Sequence, residues 1–174
     1  MPGSRFNEPG IWAKEMEDAG WHGVCASDHF WVTDHLYPHV FVAATQMACS
    51  TSRIKITSSF CNNLFRSPVE FAQGALSVQQ AAEGRFEAGL GAGWAEAEMK
   101  AIGMPYPGPP ERIGMYIEAM KIAGQIINTN QCQFSGEYYK VDISGDNFVG
   151  PRLENPPALV GSAGGPRGIR EITP

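Results

Sequence analysis

Asp28 and His29 stand together in the stretch Ser27-Asp28-His29-Phe30. A carboxylate beside an imidazole can hold a ring nitrogen, relay a proton or act as a general base near neutral pH. The dipeptide alone fits a plainer arrangement better: a buried His bonded to backbone, with Asp capping its loop. Four histidines, His22, His29, His35 and His39, fall within 18 residues, beside Cys25, Asp28 and Asp34. That density raises a metal-dependent hydrolase as one reading. But Pro38 interrupts His35-x-x-x-His39 and keeps the two off a common helix face, and no zinc spacing is matched. No residue is assigned as a metal ligand.

Two glycine-rich segments are the other candidates. Gly89-Leu90-Gly91-Ala92-Gly93-Trp94 lacks the third glycine of a dinucleotide fingerprint, because position 94 is Trp. Its glycines can instead let backbone approach a flat ring where a Cβ would clash, or form a tight turn. Gly161-Ser162-Ala163-Gly164-Gly165-Pro166-Arg167-Gly168 follows an apolar run. Free amides and one cation there suit an anion such as phosphate. Trp94, Glu96 and Glu98 can wall a pocket or simply pack. Arg66 can bind an anion or pair with a carboxylate such as Glu70.

The elements that must carry these residues can be read from pattern and punctuation. Helices are expected over Glu8 to Ala19, Pro38 to Ser50, Ser67 to about Ala82, and Glu111 to Ile127. The third starts on a capping box, Ser67-Pro68-Val69-Glu70. The fourth carries Ile113, Tyr116, Ile117, Met120, Ala123 and Ile127 on one face. Strands are expected over His22 to Ser27, Ile54 to Cys61, Arg85 to Gly91 and Ala158 to Gly161. A long Gly/Pro loop separates Gly91 from Glu111, and a hairpin turning at Ser135-Gly136 follows. Another helix can begin at Gly168. Helices alternating with strands imply a parallel sheet with helices outside. The site of such a fold lies at the C-terminal strand ends, where Ser27 to Phe30, the stretch Phe60 to Arg66 and the two glycine-rich segments fall.

Composition narrows the classes. The chain has 174 residues, 43% hydrophobic, with 20 Gly and 13 Pro spread without period, which excludes collagen and a disordered tail. Thirteen basic against 18 acidic residues leave a net charge of −5, with no basic block. Nucleic acid is therefore not the expected partner. No apolar run is long enough for a membrane helix, and none follows the N-terminus as a signal peptide would require. The four cysteines are far apart, which fits a reducing, cytoplasmic setting.

Four segments together resemble one family. NNLFRSPVEFA, GRFEAGLGAGW followed by Glu98 and Gly103-Met104-Pro105, FSGEYY, and PPALVGSAGGPR occur in the order used by bacterial luciferase-like monooxygenases. SDHF fits the same pattern, and the similarity is greatest to the branch that uses coenzyme F420, a deazaflavin. The resemblance implies an incomplete (β/α)8 TIM barrel over 1–174, holding about strands two to five, with a small hairpin insertion near 132–142. A full barrel takes about 250 residues. Two sheet edges and an interior face would then be open to self-association or to a missing half-barrel. The resemblance further implies hydride transfer between F420 and a small organic substrate, with FMN the alternative cofactor and, with O2, monooxygenation the alternative chemistry. His29 would be the catalytic acid/base and Asp28 would lie beside the ring. Ser59 and Phe60 would form a bulge behind it that often holds a cis peptide. Gly91, Ala92 and Gly93 would meet the ring edge through backbone, and Ala163, Gly164 and Gly165 would hold the phosphate, near Arg167. Some relatives carry Glu where this chain has Trp94. A non-catalytic flavin-binding or assembly module is the competing reading.

Overall fold

The computed structural model describes residues 8–32, 35–163 and 165–172. Asp34 and Gly164 lie outside them. Helix α1 (Pro9–Asp18) starts on Pro9 and gives way to Gly20, whose φ is 83°. A residue with a Cβ adopts that left-handed turn only at a cost. Strand β1 (Gly23–Ala26) follows, then a two-residue pair, β2 (Trp31–Val32) against β3 (His35–Leu36). Helix α2 (Val40–Cys49) leads to β4 (Lys55–Ser58), and β5 (Cys61–Asn62) resumes after a break at Ser59 and Phe60. The Ser59–Phe60 peptide bond is cis.

Helix α3 (Pro68–Ala81) has the expected cap: Ser67 Oγ accepts the Glu70 N–H at 3.1 Å. Strand β6 (Phe86–Gly91) follows it. The segment read as one long loop contains a short helix, α4 (Glu96–Ala101). Helix α5 (Pro109–Thr129) is longer than its pattern suggested, and its buried face is wider. Ala119, Ile122 and Ile126 are fully buried with Tyr116, while Ile113 and Met120 are half-buried. The hairpin is β7 (Cys132–Ser135) with β8 (Lys140–Ile143), and its turn closes from Gly136 N–H to Tyr139 O. It turns later than Ser135-Gly136 because Glu118 of α5 accepts the amides of Glu137, Tyr138 and Tyr139 at 2.7, 3.0 and 3.0 Å. Strand β9 (Ala158–Ser162) and helix α6 (Pro166–Ile172) complete the described chain.

β1, β4, β6 and β9 are parallel. β4 and then β5 run along one edge of β6, and β9 runs along the other. β1 and β9 are the outer strands among the described residues. One sheet face is dry. Val24, Ala26, Ile56, Phe86, Ala88 and Leu90 pack there against α2, α3 and α5 in a single core. The other face is wet, as alternation along a half-covered sheet requires. Lys55 Nζ meets Glu87 Oε1 at 3.0 Å there, and Thr57 Oγ1 donates to Glu87 Oε2 at 3.1 Å. The Lys55 hydrogen bond holds the Glu87 carboxyl below its usual range. Among the described residues this is a parallel α/β sheet with its helices packed on one face, the fold class that the resemblance implied. No helix among the described residues is long and apolar enough to cross a membrane.

At the opposite end of the sheet from the site, Glu17 staples α1 to the turn before β4. Its Oε1 accepts the amides of Ser52, Arg53 and Ile54 at 2.9, 2.6 and 3.0 Å. Those donors, Ile54 first, pull its pKa from 4.5 to about 2. A depressed folded-state pKa gives stability that is present above 4.5 and lost as pH falls toward 2. Glu17→Gln should therefore lower Tm at pH 7, and the gap to wild type should close between pH 4.5 and 2. Thermal melts of both proteins across that range test it; a gap that is constant with pH would show that the charge is not what stabilises.

Candidate functional site

A cavity of about 360 Å³ opens at the C-terminal ends of the strands. That lies within the range of about 300–1,000 Å³ typical of small-molecule pockets. Asp28 and His29 reach it from the end of β1, and Ser59 and Phe60 from the break between β4 and β5. Gly91, Ala92 and Gly93 reach it from the end of β6, and Ser162 and Ala163 from the end of β9. Asp28, His29, Ser59, Phe60, Gly91, Ala92, Gly93 and Ala163, eight of the residues to which the resemblance gave a role, thus meet around one space. Gly165 and Arg167 follow at the start of α6, outside the immediate lining, with Arg167 exposed.

The glycines fit a cradle for a flat group. A Cβ on Gly93, at φ 84°, would stand 2.4 Å from Asn62 Oδ1, and one on Gly91 would stand 3.3 Å from Phe60 Cβ. Glycine here keeps the backbone itself as the cavity surface. Asn63 N–H bonds Gly91 O at 2.9 Å and ties this loop to the residues after the break.

Asp28 is 6% exposed, and both carboxylate oxygens are engaged. Arg66 Nη1 and Nη2 donate to Oδ2 and Oδ1 at 2.6 and 2.8 Å, and Asn62 N–H donates to Oδ2 at 2.7 Å. Arg66 therefore pairs with Asp28, not with Glu70. Burial alone would lower its pKa, but the Asp28 hydrogen bonds and charge outweigh it and hold the guanidinium above its ordinary value. Cys61 also lines the cavity, yet burial and then the Asp28 charge push its thiol up to about 12. It stays a neutral thiol and is no nucleophile at ordinary pH.

His29 lines the same cavity. Its side chain is 17% exposed, and its Nδ1 lies 2.9 Å from Glu98 Oε2. Tyr37 and Trp94 stand edge-on to the ring, with centroids at 5.8 and 5.5 Å. Trp94 itself is 70% exposed and walls the cavity mouth. Of the two acids after it, Glu96 pairs with Lys100 in solvent, whereas Glu98 is buried beneath the site. Sequence reading did not separate them. Their places on α4 do, since Glu98 and Met99 are the buried residues of that helix. Among the described residues, no group of three His, Cys, Asp or Glu side chains is gathered that can hold a metal.

The chain is similar in sequence and fold to known proteins. An F420-dependent glucose-6-phosphate dehydrogenase of Kineococcus radiotolerans is 32% identical over 158 residues, which are 88% of this chain and 46% of that protein. An F420-dependent secondary alcohol dehydrogenase, solved with an F420–acetone adduct, superposes with a TM-score of 0.81 at 23% identity, covering 95% of this chain and 51% of that one. The FMN-bound oxygenating component of a type II Baeyer–Villiger monooxygenase from Pseudomonas putida gives 0.74 at 17% identity, over 92% and 47%. This chain spans about half the length of these proteins, and its sheet is the corresponding part of their fold. The model of the luciferase-like monooxygenase family matches residues 2–173, nearly the whole chain, and the chain belongs to that family.

Proposed function

We propose that this chain is the cofactor-cradling half of an oxidoreductase that passes a hydride between coenzyme F420 and a small organic substrate. The observation that carries the reading is the meeting of a glycine backbone, Gly91 to Gly93, with the His29 imidazole across one cavity. Gly91, Ala92 and Gly93 would take the edge of the cofactor ring through backbone, with Ser59 and Phe60 behind it. Ala163 and Gly165, with Gly164 between them, would take the phosphate, near Arg167. A bound deazaflavin supplies a two-electron hydride acceptor or donor and leaves a proton to be moved. His29 takes that proton from a substrate hydroxyl, or returns it to a carbonyl in reverse. Asp28 does no proton chemistry, because Arg66 and Asn62 hold it. It anchors the end of β1, and so places the residue that follows it.

Fluorescence titration of the purified chain with F420 and with FMN, beside sedimentation, tests the reading. Tighter binding of F420 is expected, in a species whose open sheet is completed by association. Tighter binding of FMN would move the chemistry toward monooxygenation, and binding of neither would overturn the reading. In an F420-loaded species that turns over, His29→Gln should lower kcat by about 10²- to 10⁴-fold with little change in F420 affinity. An unchanged kcat would remove His29 from the proton path. Normal F420 affinity with no hydride transfer by wild type would favour a binding module instead.

A further inference from the structure

Glu98 is 4% exposed, and among the described residues no Lys or Arg pairs with it. Its Oε1 accepts the amides of Phe30 and Trp31 at 2.5 and 3.3 Å. Its Oε2 faces His29 Nδ1 at 2.9 Å. One carboxylate on α4 thus grips three consecutive residues, 29 to 31, where the chain leaves β1. A carboxylate can only accept, so the facing ring nitrogen must donate. In a neutral imidazole the nitrogen that donates is fixed by its partner, and the other nitrogen is then an acceptor. The edge contacts from Tyr37 and Trp94 hinder rotation of the ring away from this bond.

We propose that Glu98 is the positioning residue of the site: it holds His29 as the Nδ1–H tautomer and leaves Nε2 without a proton, as the base. The functional part of this inference rests on His29 being the proton carrier. The tautomer does not, and can be read without cofactor.

The test is a long-range proton–nitrogen correlation on the 15N-labelled full chain at a pH where the imidazole is neutral. His29→Gln identifies the signal among the four histidines. Wild type should show Nδ1–H. In Glu98→Gln the two amides keep the side-chain oxygen, so its NH2 must face Nδ1 and the ring must switch to Nε2–H. Glu98→Asp keeps a carboxylate and should keep Nδ1–H. An Nε2–H wild type overturns the proposal without need of any folded variant. So does a Glu98→Gln ring that stays Nδ1–H, or Asp and Gln variants that behave alike. In a loaded, active species Glu98→Gln should lose kcat while F420 affinity holds. Failure of wild type to bind F420 would instead sink the redox reading and leave the tautomer result standing.

Discussion

Arg66→Met should destabilise the protein by about 3–5 kcal/mol, the usual cost of leaving one partner of a buried ion pair unpaired. The Arg66 and Asp28 side chains are only 5% and 6% exposed. Their contact is a two-point fork, Nη1 to Oδ2 and Nη2 to Oδ1, the geometry in which a guanidinium and a carboxylate bind most strongly. Methionine fills the volume but leaves the Asp28 charge with only the Asn62 amide. Asp28→Leu combined with Arg66→Met should recover most of the loss, because no buried charge then remains. It should not recover all, because the Asn62 N–H is orphaned at a cost of about 1–3 kcal/mol. Urea denaturation of the wild type, the single variant and the double variant measures each step. A loss below about 1 kcal/mol in the single variant is what a solvated surface pair gives, and would show that the fork is not closed to water. The consequence reaches the site. Asp28 immediately precedes His29, and its bond to Asn62 joins β1 to the residues after the Ser59–Phe60 break. Arg66→Met should therefore weaken cofactor binding even where the fold persists.

Much of this architecture was legible because local chemistry and tertiary packing agree in it. Helix α3 carries its own start signal in Ser67, Pro68 and Glu70, and the structure begins it at Pro68. Strands β1, β6 and β9 end at Ala26, Gly91 and Ser162, so the rule that sites lie at such ends collects residues that line one cavity. What was not legible is of two kinds. Short elements have too few residues to show a period. Helix α4 is six residues long with two of them buried, and β2 and β3 are two residues each. Ile54 to Cys61 reads as one strand because nothing in its pattern marks the break at Ser59 and Phe60. The second kind is partnership. Glu98 meets His29 across 69 positions, and Arg66 meets Asp28 across 38. Either acid can equally well face solvent in the sequence, as Glu96 does. Only packing decides which carboxylate is buried, and hence which tunes the site.

Gly89→Ala should be the most damaging single-methyl change in the chain's sheet. A Cβ at that position would stand 2.0 Å from Ser58 O and 2.8 Å from a carbon of the Phe60 ring. The first contact is with backbone, so no rotamer relieves it. The break after β4 must lift, or β6 must slide. The two strands are also joined there by side-chain bonds that either movement breaks: Ser58 Oγ donates to Gly89 O at 3.0 Å and accepts Gly89 N–H at 2.8 Å. Overpacking a core commonly costs about 1–3 kcal/mol, and a backbone collision belongs at or above the top of that range. Phe60 would be displaced with the break, so F420 affinity should fall along with stability. Gly124→Ala is the control. It lies within α5, where an added Cβ meets only Leu159 Cδ2, at 3.7 Å. Alanine is favoured over glycine in a helix by about 0.5–1 kcal/mol, so this variant should gain stability and bind the cofactor normally. Parallel urea melts and F420 titrations of the two variants give opposite signs if the packing is as described. A Gly89→Ala protein as stable as wild type, with unchanged affinity, would mean that the chain between β4 and β5 does not rest on β6 and does not back the cofactor ring.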